Sequence, residues 1–114
     1  MDRPHATVVL EMFSGRTDPS WQLDAARTAE LRDKLNALPP ARERTLPSAP
    51  GLGYRGLHVS LSDGTQGEVV EGRSGRIAFA GRILRDEHRA VERWLLDTAP
   101  PQLADLVRSV RGSP

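Results

Sequence analysis

Two proline pairs, Pro39-Pro40 and Pro100-Pro101, cut this 114-residue chain at points that no regular helix can pass through. The residue before a proline is driven out of the α region, and proline itself has no N–H for the helix ladder. Helix formers fill the stretch before each pair. Residues 25–38 place Leu31, Leu35 and Leu38 at helical spacing, with Asp24 as the capping residue and Leu23 positioned to staple onto the first turn. Residues 87–98 put Val91, Trp94, Leu95 and Thr98 on one face behind a second capping residue, Asp86. Beyond the second proline pair, Leu103, Leu106, Val107 and Val110 predict a short final helix over 103–110, and 111–114 are expected to fray.

Between the helices the apolar period changes to two. Val8, Leu10 and Met12 share one face of a first strand, with Thr7, Val9, Glu11 and Phe13 on the other. Both faces are largely apolar, so this strand is expected inside its sheet. Leu57, Val59 and Leu61 alternate with Gly56, His58 and Ser60. Ser62-Asp63-Gly64-Thr65 is a hairpin signal, and a short strand over 67–71 follows. After a turn at Gly72-Arg73-Ser74-Gly75, residues 76–80 alternate again with Ile77 and Phe79 inward. Residues 39–53 form a Pro/Gly-rich loop, too short to separate two domains.

The expectation is a single α+β domain over 1–114. Its sheet is four-stranded, antiparallel or mixed, in the order β-α-β-β-β-α-α, with helices packed mainly on one face. The other face would present Thr7, Val9, Glu11, His58, Ser60, Ala78 and Ala80, unless the final helix folds across it.

Composition narrows the function classes. Leu, Ile, Val and Phe number 26 of 114, enough for a folded core. No run of large apolar side chains exceeds three residues, which argues against a membrane span or a secretory signal. There is no cysteine, so a disulfide framework and thiolate chemistry are excluded, and a cytoplasmic location is expected. A net charge of +1 disfavours non-specific binding to nucleic acid or membranes. The open face also lacks the stacking aromatics of an RNA-binding sheet. Of the 16 basic residues only Lys34 is not arginine. Arginine offers a planar fork suited to carboxylate and phosphate. Most of these arginines are interleaved with acids, as in Glu87-His88-Arg89 and Glu92-Arg93, which is the pattern of a solvated surface.

His5, His58 and His88 do not stand at a metal-ligand spacing, and no metal or cofactor is expected. Ser14-Gly15 lacks the G-x-S-x-G pattern of a nucleophile elbow. Gly51-Leu52-Gly53 and the Gly72 to Gly75 turn lack the lysine and hydroxyl of a phosphate loop. One acid–base pair remains: His58 with Glu11 approaching from a neighbouring strand, a pair that equally suits an interface. The run from Phe13 to Trp21 is different, because it gathers two aromatics, Arg16, Asp18 and Pro19. As pure architecture it is a rigid strand-to-helix crossover. As a site, Arg16 and nearby backbone N–H groups would cradle an anionic group. If the strand opened by Tyr54 pairs with the first strand, Arg16, Asp18, Trp21, Tyr54 and Arg55 would line one end of the sheet.

The run F-S-G-R-x-D-P-x-W, followed by L-x-x-x-L and then Gly51-Leu52-Gly53-Tyr54-Arg55-Gly56, resembles a group of small uncharacterised bacterial proteins. That group typically carries Pro-Asn-Pro where this chain has Thr17-Asp18-Pro19, and the likeness spans roughly residues 7–98. It implies a shared fold for the crossover and the Gly-Tyr-Arg-Gly segment, and no particular activity. The expected function is therefore a non-catalytic binding or accessory domain. It would recognise a protein, a peptide or a small anionic ligand through the arginine-bearing crossover, and self-associate through the open sheet. The alternative is a small enzyme using His58 with a nearby carboxylate.

Overall fold

The computed structural model of the chain describes residues 5–13, 18–48, 53–62 and 67–111. Six strands form one sheet: β1 (His5–Phe13), β2 (Ser20–Leu23), β3 (Gly53–Ser62), β4 (Gly67–Arg73), β5 (Arg76–Phe79) and β6 (Arg82–Arg85). Their spatial order is β2-β1-β3-β4-β5-β6, and every neighbouring pair is antiparallel. Three helices complete the fold: α1 (Ala25–Asn36), α2 (Ala90–Asp97) and α3 (Ala104–Arg111). None is long and apolar enough to cross a membrane.

Period-two alternation puts one apolar set on one side of the sheet. Ala6, Val8 and Leu10 stand opposite Leu61, Val59 and Leu57, and the row continues through Val70 and Ile77 to Leu84. These pack in one buried cluster with Leu31 and Leu35 of α1, Val91, Leu95 and Leu96 of α2, and Val107 and Val110 of α3. The helices thus share one face, as a half-buried antiparallel sheet requires. The final helix packs there too, so it does not fold across the opposite face.

The α+β class and antiparallel sheet match the expectation; a four-stranded sheet does not. Ser20–Leu23 looks like a lead-in to the α1 cap, yet Trp21 and Leu23 point into the core, and Ser20 and Gln22 point out, which makes it a strand. Residues 80–81 are a tight turn, with φ of 53° at Ala80 and 74° at Gly81, so Ala80 belongs to a hairpin and not to the open face. That turn folds Arg82–Arg85 back as β6. Of the hairpin signal Ser62-Asp63-Gly64-Thr65, Ser62 ends β3 and 63–65 lie outside the described residues, while β3 and β4 pair on either side. Of the frayed end expected at 111–114, Arg111 instead closes α3, and 112–114 lie outside the described residues.

Local chemistry fixes the helix positions. Asp24 caps α1 by accepting from the Arg27 N–H at 2.8 Å, and the Thr28 hydroxyl donates to the Asp24 carbonyl at 2.7 Å. The Trp21 indole donates to the Thr98 hydroxyl at 2.8 Å, tying edge strand β2 to the end of α2. The Lys34 ammonium lies 5.2 Å from the Trp94 ring centre, between α1 and α2. Residues 39–41 run along β6, where Arg85 N–H donates to the Pro39 carbonyl at 2.8 Å and Ala41 N–H to the Ile83 carbonyl at 2.9 Å. The described part of the Pro-rich loop therefore wraps the sheet edge; Leu46 is half-buried, and Leu52 lies outside the described residues.

One irregularity decides where the next site forms. Glu11 pairs with Gly56 while Met12 pairs with Tyr54, leaving Arg55 as the extra residue of a β-bulge. The bulge turns Tyr54 to the helical side of the sheet. Gly56 has φ of +125°, and a Cβ there would lie 2.5 Å from the Gly72 carbonyl oxygen. Gly56→Ala is expected to cost on the order of 2–3 kcal/mol, from backbone strain and collision together. Urea unfolding would show it, and a near-neutral result would mean that the bulge relaxes freely.

Candidate functional site: an arginine-lined end of the sheet

The end of the sheet where β3 begins and β4 turns into β5 brings together arginines from four strands, from α2 and from the segment just before it. Ser74 and Gly75, with φ of 54° and 78°, make the two-residue turn of the β4–β5 hairpin. The Asp86 N–H donates to the Gly75 carbonyl at 2.9 Å, locking the exit of β6 beside that turn. The chain then makes an abrupt knuckle, with His88 at φ 58° and Arg89 at φ 56°. A left-handed conformation costs roughly 1–2 kcal/mol for a residue with a Cβ, so two in succession need support.

Asp86 supplies that support. Its carboxylate accepts from the N–H groups of Val91 at 2.8 Å and Glu92 at 3.0 Å, and its carbonyl accepts from Arg89 N–H at 3.0 Å. The sequence places Asp86 as the cap of a helix beginning at Glu87. In the structure it caps one that begins at Ala90, across the knuckle. The side chain is 2% exposed. Burial holds its carboxyl above the ordinary 3.8, partly opposed by the two N–H donors.

The knuckle delivers Arg89 to a second buried carboxylate. Glu92, 2% exposed, accepts from the Arg89 guanidinium and from the Tyr54 hydroxyl, each at 2.5 Å. Burial first, then the Glu92 charge, raises the Tyr54 phenol so far that it stays neutral. The hydrogen bond to Glu92 raises Arg89, which stays charged. The Glu92 carboxylate is thereby committed to holding a cation and a phenol in place.

Around this triad Arg55, Gly56, Arg73 and Ser74 line a small cavity of about 30 Å³. Beside it opens a groove of about 710 Å³ running from Ser74, Gly75 and Arg76 to Arg85, Arg89 and Arg93. Arg76 pairs with Glu43, and Arg73 Nε donates to the Pro47 carbonyl at 2.6 Å. Arg85 and Arg93 are exposed, and their side chains make no hydrogen bond or ion pair among the described residues. The groove can thus offer two uncommitted guanidinium forks beside a third held rigid by Glu92.

Of the residues singled out from sequence, Tyr54 and Arg55 reach this end of the sheet. The crossover starts next to them, because Met12 pairs with Tyr54 and Phe13 with Gly53. Arg16 lies outside the described residues. The segment expected as a strand-to-helix crossover instead connects the antiparallel neighbours β1 and β2, and Asp18 stands at its far end, its carboxylate accepting from Met12 N–H at 3.0 Å. Trp21 does not line this surface: it is buried in the core, and its indole is spent on Thr98. Glu11 and His58 share the non-helical face, on a diagonal, with Glu71 directly opposite His58. No hydrogen bond or ion pair joins Glu11 to His58 among the described residues. Those residues also contain no cluster of His, Cys, Asp and Glu able to hold a metal ion.

Arg73, Arg85, Arg89, Glu92 and Arg93 were not anticipated. The expected face of α2, Val91, Trp94, Leu95 and Thr98, leaves Glu92 out, whereas the buried set is Val91, Glu92, Leu95 and Leu96; Leu96, one turn after Glu92, is the signal that places it inward. An acid within an apolar stripe asks for a cation.

Tyr54→Phe removes a donor from a buried charge and is expected to cost about 1.5–3 kcal/mol in urea unfolding. For Asp86, the folded chain holds its proton more tightly than the unfolded chain does. The stability contributed by protonation is full below the ordinary value and is lost as pH rises through the raised one. The Tm of the wild type relative to Asp86→Asn should therefore fall as pH rises from below the ordinary carboxylate value through the raised one, and a flat difference would refute this linkage. Comparison with protein-family models, curated proteins and solved structures gives no match, so the function has to be argued from the chemistry of the site itself.

Proposed function

We propose that this chain is a non-catalytic binding or accessory domain that recognises an anionic group, above all a carboxylate of a protein or peptide partner, at the arginine-lined end of its sheet. The observation that carries this reading is the pair Arg85 and Arg93, uncommitted among the described residues, on a groove whose wall is fixed by the Tyr54–Glu92–Arg89 triad. Guanidinium forks match carboxylates in two parallel hydrogen bonds, and a rigid wall lowers the ordering cost of binding. Acid–base work finds less support here. Asp86 and Glu92 are occupied by backbone N–H groups, by Arg89 and by Tyr54. His58 does not line this groove.

The test is an NMR titration of the labelled protein with a short Glu/Asp peptide, and with inorganic phosphate as a second probe. Saturable shifts at the Nε–H signals of Arg85 and Arg93 are expected. Replacing both by Ala should weaken peptide binding about tenfold or more, since a hydrogen bond to a charged group contributes about 1.5–3 kcal/mol. Arg16→Ala then measures whether the crossover contributes. Binding that is unsaturable, or indifferent to the Arg85 and Arg93 changes, would overturn the proposal.

A further inference from the structure

Arg73, Arg76 and Arg85 stand directly opposite one another on β4, β5 and β6, in one row across the sheet. Cross-strand neighbours hold their Cβ atoms about 4.5–5.5 Å apart, and like charges so placed repel. Such a row needs acids over it, and the chain supplies two. The Glu71 carboxylate lies 4.0 Å from Arg73 Nη1, and the Glu43 carboxylate accepts from Arg76 Nε. Arg85, at the end of the row, takes no acid among the described residues.

Glu43 reaches Arg76 from the strap of residues 39–48 that crosses the sheet edge after α1. Backbone hydrogen bonds hold 39–41 to β6, and Arg73 holds the Pro47 carbonyl. Between these anchors no backbone hydrogen bond restrains 42–46 among the described residues. The Glu43–Arg76 pair is partly open to water, with 40% of one side chain and 28% of the other exposed. The hydrogen bond from Arg76 holds the Glu43 carboxyl below its ordinary value, so it is ionised. Arg76 Nη1 also donates to the Gly75 carbonyl at 3.0 Å, a second bond that keeps its fork over the β4–β5 turn.

Arg76 lines the same groove as Arg85 and Arg93. From this we infer that Glu43 is a tethered competitor within the anion groove: it occupies Arg76 in the free chain and yields it to a partner segment carrying two neighbouring carboxylates. This competition rests on the groove being an anion site and goes one step further, to the pattern of acids in the partner. One partner carboxylate sits on the open forks of Arg85 and Arg93. The next reaches Arg76, one strand away, and Glu43 swings out into water. Adjacent strands are about 4.8 Å apart and an extended peptide advances about 3.4 Å per residue, so acids one or two positions apart bracket that step. A segment with a single acid fills Arg85 and Arg93 and leaves Glu43 in place. Only the diacid gains the third fork, which is a difference in affinity and therefore a specificity.

The experiment titrates two capped peptides, Gly-Glu-Glu-Gly and Gly-Glu-Gln-Gly, into the labelled whole chain at fixed ionic strength, followed by NMR. The diacid should shift the Arg76 Nε–H signal together with those of Arg85 and Arg93; the monoacid should shift only the latter two. An exposed ion pair is weak, so the masking is partial, and Glu43→Gln should tighten the diacid by about two- to sixfold. The monoacid should change little, and Arg76→Gln added to Glu43→Gln should remove the gain. Glu43→Ala repeats the measurement, with circular dichroism confirming the fold of each variant. Unchanged diacid affinity in Glu43→Gln, with Arg85 and Arg93 still required, would sink the competition and leave the groove as an anion site. Equal tightening of both peptides would sink it too, since Glu43 would then act only as one more negative charge nearby. Binding of neither peptide to any variant would remove the anion site itself, and the competition with it.

Discussion

Glu92 carries a negative charge into a position that water barely reaches, and the layers of the molecule are joined around it. A carboxylate taken out of water loses several kcal/mol of solvation, which only close, well-aimed partners can offset. Tyr54 supplies one from the sheet and Arg89 another from the knuckle before α2. Each partner depends on an unusual piece of backbone. Tyr54 faces the helices only because the bulge at Arg55 inverts the alternation of β3. Arg89 reaches Glu92 from a left-handed residue that Asp86 anchors from the other side. Two local distortions are thus tied by one charge.

That arrangement explains which parts of the molecule could be read from the sequence. The α1 helix, its Asp24 cap and the antiparallel pairing of the central strands follow from spacing alone, because each spans enough residues to repeat its period. Strands β2 and β6 have four residues each and run straight into a capping residue, Asp24 and Asp86, which hides their alternation, whereas β5, equally short, runs into none. Ala80-Gly81 also lacks the Asn-Gly or Asp-Gly form that announces such a turn. The bulge is less legible still. Simple alternation puts Tyr54 and Gly56 on the same side, and the fold separates them.

The site was legible in outline and not in membership. Pairing of the first strand with the Tyr54 strand brings the end of β1 next to Gly53–Tyr54, which is the condition the sequence sets for a shared end of the sheet. The arginines that line the groove come largely from the β4–β5 turn and the knuckle, segments that look like ordinary solvated charge in the sequence. Spacing alone has Asp86 open a regular helix, which puts His88 and Arg89 on a helix surface. Side-chain capping over a longer span put them in left-handed backbone, which is what aims Arg89 inward.

The prolines beside β6 have a further effect. Residues 39–41 satisfy the outer hydrogen-bonding groups of β6 while offering no N–H at Pro39 or Pro40, so no additional strand can extend the sheet from that flank. Only the β2 flank is left for lengthening. If two molecules ever joined there, both outer flanks of the merged sheet would be proline-sealed, and growth would stop at that pair. Ribbon-like polymerisation is thereby closed to the folded chain.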